Sequence, residues 1–475
     1  MKKIYTLLII LSSCFYNNTL GETTKYYESK VDSLLNSLDF TNSPGCVLGV
    51  MQDGKFMYKK AFGMANIDSG ISLTTESIFG IMSITKQFTA ACILLLAQEG
   101  KLSLKDDIRK YFPEMPDYGD IITISQLIHH ISGIRDCSEL QNLSGYPEGH
   151  KWGKEKVLEI IFRQKELNNK PGDNCIYNNS GYFLLGLIVE KVTGLSLNEY
   201  ASREIFGPLG MKNTFYLDSS QYALGNIVSG HTKNDSNIFQ TVINTLDGRG
   251  AGGIFSTIED LKKWDDNFYN SKIGKRNFIS KMYKVGKLNN GSKPNYSFGL
   301  YIRERNGLKT VEHGGFGGGF RTGLMRFPDE HFTVVCLTNR GIDIDTEELC
   351  SNVANIYLKE KMSFPTTPNK EKSIVETGTK PVSHNTEISN KRGLVGKYYS
   401  EEIDTYYEIS QNNELIYLSV RGDTPIQLNV VNEDLLVLGE LGKGITFKLE
   451  RSENEIKGFR LSSERVKNLR FLKVD

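Results

Sequence analysis

The sequence predicts an α+β protein: an antiparallel sheet flanked by helices, followed by a small all-β C-terminal barrel. Three observations carry this expectation. Strand-like segments open the chain, helical segments fill its middle, and strand-like segments return before residue 340, so the first and last strands can pair in one sheet with helices on its faces. Residues 363–392 are rich in Pro, Thr, Lys, Glu, Ser and Asn and poor in apolar side chains, and read as a linker. From Gly393 on, short alternating segments recur between turn signals. The expected division is a leader over 1–21, an α+β domain over 22–362, the linker over 363–392 and the barrel over 393–475.

Taken in order, Met1-Lys2-Lys3 is a short basic region and Ile4 to Leu11 an apolar run too short to cross a bilayer, which together read as an export leader. Two cleavage readings stand. Leu11-Ser12-Ser13-Cys14 resembles a bacterial lipobox, which makes Cys14 a candidate lipidated first residue; a conventional cut falls near Leu20-Gly21. The chain is expected to be periplasmic, secreted or lipid-anchored at a bacterial envelope. A helix follows over Lys30 to Leu38. Pro44-Gly45 opens a strand, Cys46 to Met51; Asp53-Gly54 is a hairpin turn and Phe56 to Phe62 the return strand. After Ser83 an apolar helix runs to Gly100. Leu104 to Ile108 and Thr123 to Ile128 both carry capped helix starts, and Tyr182 to Val192 is an apolar helix stopped by Gly194. Strands are expected at Phe298–Arg303, Thr310–His313, Gly323–Phe327 and Phe332–Asn339, then a helix over Cys350–Lys361. The barrel strands are expected at Leu394–Tyr399, Tyr406–Ile409, Leu415–Val420, Ile426–Val431, Leu435–Leu438, Ile445–Leu449, Ile456–Leu461 and Asn468–Val474.

Composition narrows the function. Of 475 residues, 39% are hydrophobic and 24% charged, so large cores can form. The 57 basic and 56 acidic residues leave a net charge of +1, which argues against nucleic acid as a partner and against electrostatic attachment to membranes. The seven cysteines include no Cys-x-x-Cys pair, and no His/Asp/Glu cluster suggests a metal. Cys92 and Cys336 lie in apolar runs and read as buried thiols.

The chemistry centres on Ser83. Ser83-Ile84-Thr85-Lys86 is the only Ser-x-x-Lys in the chain, and residues three apart share a helical face, so the Lys86 amine can meet the Ser83 hydroxyl. A serine becomes a nucleophile when a neighbouring base takes its proton, and a lysine does so when its pKa is depressed. The plain alternative is an N-cap serine with a solvated lysine. Tyr177-Asn178-Asn179 follows the Pro171-Gly172 turn; in an extended loop Tyr177 and Asn179 face the same way. A tyrosinate between ammonium groups can act as a base, and an Asn amide can hold a substrate carbonyl. Val311-Glu312-His313-Gly314-Gly315-Phe316 is a strand ending in glycines that let a substrate backbone approach. Gly317-Gly318-Gly319 lacks the lysine and following helix of a phosphate loop.

In this order and spacing the three motifs resemble the penicillin-recognising serine hydrolases: class C β-lactamases, DD-peptidases, D-aminopeptidases and related esterases, all β-lactamase/transpeptidase-like in fold. Gly100 to Leu104, Leu127 to Ile134 with its His129-His130 pair, Tyr177 to Gly186 and Gly252 to Thr257 strengthen the likeness, which covers roughly residues 40–360. It implies that Ser83 is the acylated nucleophile, that Lys86 keeps its proton labile and that Tyr177 is the general base or proton shuttle. It further implies that Asn179, His313 and Gly315 bind substrate and that the N–H groups of Ser83 and Phe316 form an oxyanion hole. No cofactor or metal is implied. The implied partner is a small-molecule or peptide substrate; any membrane contact is through the Cys14 anchor alone, and the oligomeric state is left open. The expected activity is hydrolysis of a small ester or amide, including peptides of D-amino acids. A β-lactamase or DD-carboxypeptidase is the alternative, and a non-catalytic binder of cell-wall fragments a second. Where β-lactamases carry a lysine in the third motif, this chain has His313, which puts recognition of a β-lactam carboxylate in doubt. His129 and His130 read as structural, and His150, His231, His331 and His384 as surface or loop residues; Trp152 and Trp264 read as packing. The C-terminal region, opened by Gly396-Lys397-Tyr398-Tyr399 and closed by Asn468-Leu469-Arg470-Phe471, resembles lipocalin-like barrels appended to such hydrolases and reads as an accessory.

Overall fold

The structure is a computed structural model that describes residues 25–146, 152–217, 226–242, 247–363, 391–439 and 444–474. The expected leader with Cys14, most of the linker, His150 and His384 lie outside the described residues.

Helix α1 covers residues 25–36. The central sheet contains β1 (Cys46–Gln52), β2 (Lys55–Phe62), β3 (Tyr301–Arg305), β4 (Leu308–Gly317), β5 (Phe320–Phe327) and β6 (Phe332–Thr338), in the antiparallel order β3-β4-β5-β6-β1-β2. The first strand therefore pairs with the last, Cys46 opposite Thr338. Alternation along each strand builds two cores. Cys46, Leu48, Val50, Val334 and Cys336 face one side with Val31, Leu35 and Val353, whereas Val47, Met51, Val335 and Leu337 face the helical side.

The helical side is organised around α2 (Thr85–Gln98), whose first twelve residues are all buried, the mark of a helix enclosed on every face. Around it lie α3 (Ile124–Ile128), α4 (Cys137–Leu143), α5 (Asn179–Thr193) and α6 (Ile258–Asn270). Trp264 of α6 is buried and donates to Gln87 Oε1 at 2.7 Å; Trp152 is buried too. The other face of the sheet is covered by α7 (Thr346–Leu358).

Local geometry shifts several expected elements. Leu104 to Ile108 yields only a 3₁₀ turn, Ile108–Lys110, capped by Asp107. The strand expected from Phe298 starts at Tyr301, because Ser297 N–H bonds the Leu300 carbonyl across a turn at Gly299. The final helix starts earlier, at Thr346, because Asp345 accepts from the Glu347 and Glu348 N–H groups. His231 is not on the surface: it is fully buried, stitched to the end of β6 by Asn339.

The C-terminal residues close an eight-stranded antiparallel barrel of β7 (Gly396–Ser400), β8 (Thr405–Asn412), β9 (Leu415–Val420), β10 (Ile426–Asn432), β11 (Leu435–Leu438), β12 (Ile445–Ser452), β13 (Glu455–Ser462) and β14 (Leu469–Lys473). Tyr398, Tyr407, Phe447, Phe459 and Phe471 pack inside it. The barrel docks on α4 and the segment before it. Tyr407 Oη donates to the Leu143 carbonyl at 2.7 Å and Thr405 Oγ1 to that of Ser144 at 2.9 Å. Arg135 and Glu402 form a buried ion pair at 2.5 Å.

Candidate active site

The strand Phe79–Gly80 leads into Met82, which holds a left-handed φ of 47° that a side chain of its size rarely adopts. A 3₁₀ turn, Met82–Ile84, then delivers Ser83 to the start of α2. The N-cap alternative fails. Ser83 makes no capping bond, because the N-cap residue of α2 is Ile84; its Oγ instead lies 3.2 Å from Lys86 Nζ.

Lys86 is fully buried. Its amine also donates to Asn179 Oδ1 and to the Ala251 carbonyl, each at 2.8 Å. Burial pushes its pKa from 10.5 to about 7, against the opposing pull of Asp136 and with a smaller contribution from Arg465. A neutral amine has two N–H donors and one lone pair. Both carbonyl oxygens can only accept, so they take the two donors, and the lone pair is left facing the Ser83 hydroxyl.

Tyr177 and Asn179 both line the cleft with Ser83, though not through an extended loop. Asn178 is the extended N-cap of α5, accepting from Gly181 N–H and donating to the Ile134 carbonyl, and Asn179 is already helical. The stretch before it is zipped to the histidine segment: Ile176 N–H bonds the His130 carbonyl, and Asn178 N–H bonds His130 Nδ1. The Tyr177 ring lies 4.8 Å from Lys86 Nζ, centroid to nitrogen, and packs on the His130 ring at 4.4 Å. Burial holds its phenol well above the ordinary value, only partly offset by the Ser83 side chain. Ionising this phenol therefore costs more than it would for an exposed tyrosine.

His313 is buried in β4 rather than exposed at a strand end. Its Nδ1 faces the Gly314 carbonyl and carries the proton, so Nε2 accepts from Tyr296 Oη at 3.0 Å. Burial, then the charge of Lys86, pushes its pKa down to about 3, so the third motif presents a neutral imidazole. Gly315 is where β4 presses on the 3₁₀ turn that carries Ser83. A Cβ there would stand 2.3 Å from Thr322 Oγ1 and 2.6 Å from the Ile81 carbonyl oxygen. Thr322 Oγ1 donates to that same carbonyl at 3.0 Å. Gly314 and Gly315 remain in the strand, paired with Gly323 and Thr322, and Gly317 to Gly319 make the hairpin turn. Ser83, Tyr177, Asn179, His313, Gly315 and Phe316 thus border one cleft of about 760 Å³, with Lys86 beneath it.

Sequence reasoning missed four contributors. Asp136 caps α4 and accepts the Asn179 N–H at 2.5 Å; the Asp136-x-x-Glu139 spacing is a cap signal that could have found it. The Ala251 carbonyl is set by the glycine turn before Ile254. Glu464 and Arg465, from the turn between β13 and β14 of the barrel, form part of the cleft wall.

The chain is 28% identical over 437 residues to penicillin-binding protein 4* of Bacillus subtilis, which spans 87% of this chain and 92% of that protein. It is 29% identical over 319 residues to a D-aminopeptidase of Cereibacter sphaeroides, covering 65% of this chain and 60% of the relative. The octameric penicillin-binding protein homologue from Pyrococcus abyssi has the same fold over 94% of this chain and 99% of its own, with a TM-score of 0.62 at 24% identity. The D-amino acid amidase from Ochrobactrum anthropi SV3 matches 70% of this chain and 99% of its own, with a TM-score of 0.59 at 20% identity. The beta-lactamase family model matches residues 31–351, well over half of the sequence, and the chain accordingly belongs to the beta-lactamase family of serine hydrolases.

Proposed function

We propose that this protein is an exported hydrolase that cleaves small amides or esters, peptides of D-amino acids among them, through an acyl-enzyme on Ser83. The observation that carries the reading is the buried Lys86 amine, its pKa pushed down to about 7 and its Nζ 3.2 Å from Ser83 Oγ. The D-aminopeptidase and amidase relatives support the choice of amide substrate.

In the proposed reaction Lys86 takes the Ser83 proton as Oγ bonds to the substrate carbonyl carbon. The N–H groups of Ser83 and Phe316 stabilise the oxyanion; such donors are worth about 3 kcal/mol each. Tyr177, protonated at rest, passes its proton to the leaving nitrogen as the C–N bond breaks and recovers one from Lys86. Water then attacks the acyl-enzyme along the reverse proton path, releasing the acid and restoring Ser83. Asn179, fixed by Lys86 and Asp136, has its amide nitrogen on Ser138 Oγ at 3.3 Å, an interaction weak enough to exchange for a substrate carbonyl. The basic region and apolar run ahead of residue 21 support export.

The test is mass spectrometry after exposure to a fluorophosphonate or a β-lactam. One adduct on Ser83 is expected, absent in Ser83→Ala, which should keep its melting temperature and lose at least about a thousandfold in turnover. Turnover retained by Ser83→Ala would place the nucleophile elsewhere. Nitrocefin cleaved as fast as simple esters would favour a β-lactamase.

A further inference from the structure

His130 stands beside the cleft in a place that ordinarily belongs to glycine. Helix α3 ends in a Schellman motif, with His130 N–H on the Leu127 carbonyl and Ile131 N–H on the Gln126 carbonyl. The motif needs a left-handed residue just past the C-cap, and His130 fills that position with a φ of 58°. A side chain held there at some cost in backbone strain calls for a reason.

Three contacts supply one, and all three converge on Tyr177. The His130 carbonyl accepts the Ile176 N–H at 2.9 Å, and its ring Nδ1 accepts the Asn178 N–H at 3.2 Å, so the backbone is held on both sides of Tyr177. The imidazole itself lies against the Tyr177 ring, 4.4 Å between centroids. Its other ring neighbours, Tyr296 at 4.3 Å and Tyr182 at 5.2 Å, have their phenols tied to His313 Nε2 and to the Ile128 carbonyl. The imidazole is thus wedged between two pinned rings and Tyr177, which borders the cleft with Ser83.

Packing alone does not account for a histidine here. The ring is buried, and burial, followed by the charges of Lys86 and His313, holds its pKa well below the ordinary value and keeps it neutral. With Nδ1 accepting, the single ring proton sits on Nε2, which is buried and has no hydrogen-bond partner among the described residues. An apolar side chain would fill the space without that unpaired N–H, but it could not accept from Asn178.

We infer that His130 is a positioning residue for Tyr177: by holding the backbone on either side and backing the ring, it sets the phenol where the leaving group departs, and so controls cleavage of amides more than that of activated esters. The inference rests on the reaction proposed above, in which Tyr177 Oη gives its proton to the leaving nitrogen as the C–N bond breaks. An amine cannot depart without that proton, whereas p-nitrophenolate leaves with the electron pair of the broken C–O bond and needs none. A displaced phenol therefore slows the first reaction and spares the second.

The test uses the full-length protein and two probes that share one acyl group: the p-nitrophenyl ester and the p-nitroanilide of N-acetyl-D-alanine. His130→Gly suits the left-handed backbone and removes the ring; His130→Asn also suits it and keeps an oxygen that can accept from Asn178. In His130→Gly, kcat/KM for the anilide should fall about a hundredfold while that for the ester stays within about threefold. His130→Asn should lose less of the anilide rate. A general loss of folded protein lowers both rates together and leaves their ratio alone, so equal losses, or none, overturn the inference. Adding His130→Gly to Tyr177→Phe should change the ratio no further, and a second, multiplicative loss overturns it as well. A further arm needs no turnover: 3-fluorotyrosine at position 177 should give one narrow fluorine resonance in the parent and a broadened or divided one in His130→Gly. A single, equally narrow line in both overturns the inference. Broadening in a protein that hydrolyses neither probe sustains the hold of His130 on Tyr177 and sinks the reaction reading alone.

Discussion

In the proposed reaction Lys86 is the residue on which the chemistry turns, and its two carbonyl partners explain why. Asn179 Oδ1 and the Ala251 carbonyl hold the neutral amine in one rotation, with the lone pair on Ser83. The charged form would donate to Ser83 instead of accepting from it. Activity should therefore require the deprotonated amine. Because its pKa is depressed to about 7, kcat/KM should rise with pH through about 7 and level off above it, rather than rise near 10.5. His313, pushed down to about 3, should leave no inflection between pH 5 and 8. An acid limb near 10, or one near 6.5 that vanishes in His313→Gln, would contradict this assignment. That Ser83, Lys86, Tyr177 and Asn179 meet at one cleft was legible, because each sits in a short motif with a readable spacing. The protonation state of Tyr177 was not, because it depends on burial by residues remote in the chain, Tyr296 and Tyr301 among them.

At the scale of elements, the site is the junction of α2, the start of α5 and the end of β4. Each junction has a short-range cause in the sequence: Asn178 as cap, the 3₁₀ turn before α2, and Gly315. The glycine is the most demanding. With the Ile81 carbonyl and Thr322 Oγ1 already bonded to each other, a methyl group at Gly315 must push β4 off the 3₁₀ turn that carries Ser83. Gly315→Ala should therefore cost about 1–3 kcal/mol as overpacking and lower kcat by at least about tenfold by displacing the Phe316 N–H. Thermal unfolding together with single-turnover acylation measures both; unchanged acylation would remove Phe316 from the oxyanion hole. Strand periodicity made the sheet and barrel strands readable, Leu415–Val420 and Leu435–Leu438 to the residue. Ends set by a side-chain cap or a turn were read less well, as at Thr346 and Tyr301, because one hydrogen bond decides them.

At the scale of the molecule, the barrel and the catalytic cleft share one segment. Arg135 is buried under the barrel, bonded to Glu402 and to the Lys467 and Asn468 carbonyls; Asp136, next in sequence, caps α4 and holds Asn179. No sequence pattern announced this docking, because its partners are more than 260 residues apart and neither side is periodic. The consequence is testable. Glu402→Ala leaves the Arg135 guanidinium buried without its countercharge, which typically costs about 3–5 kcal/mol. It also frees Lys165 N–H, which Glu402 accepts at 2.7 Å. The barrel should then loosen from α4, and with it the 463–468 turn that carries Arg465. Two readouts should move together: a lower melting temperature and a lower kcat/KM. Replacing both partners, Arg135→Met with Glu402→Leu, removes the unpaired charge and should recover part of the stability, the Lys165 N–H and the Lys467 and Asn468 carbonyls still lacking their partners. If Glu402→Ala lowers the melting temperature and keeps its kcat/KM, the cleft owes nothing to the barrel, and the link through Arg135 and Asp136 is refuted.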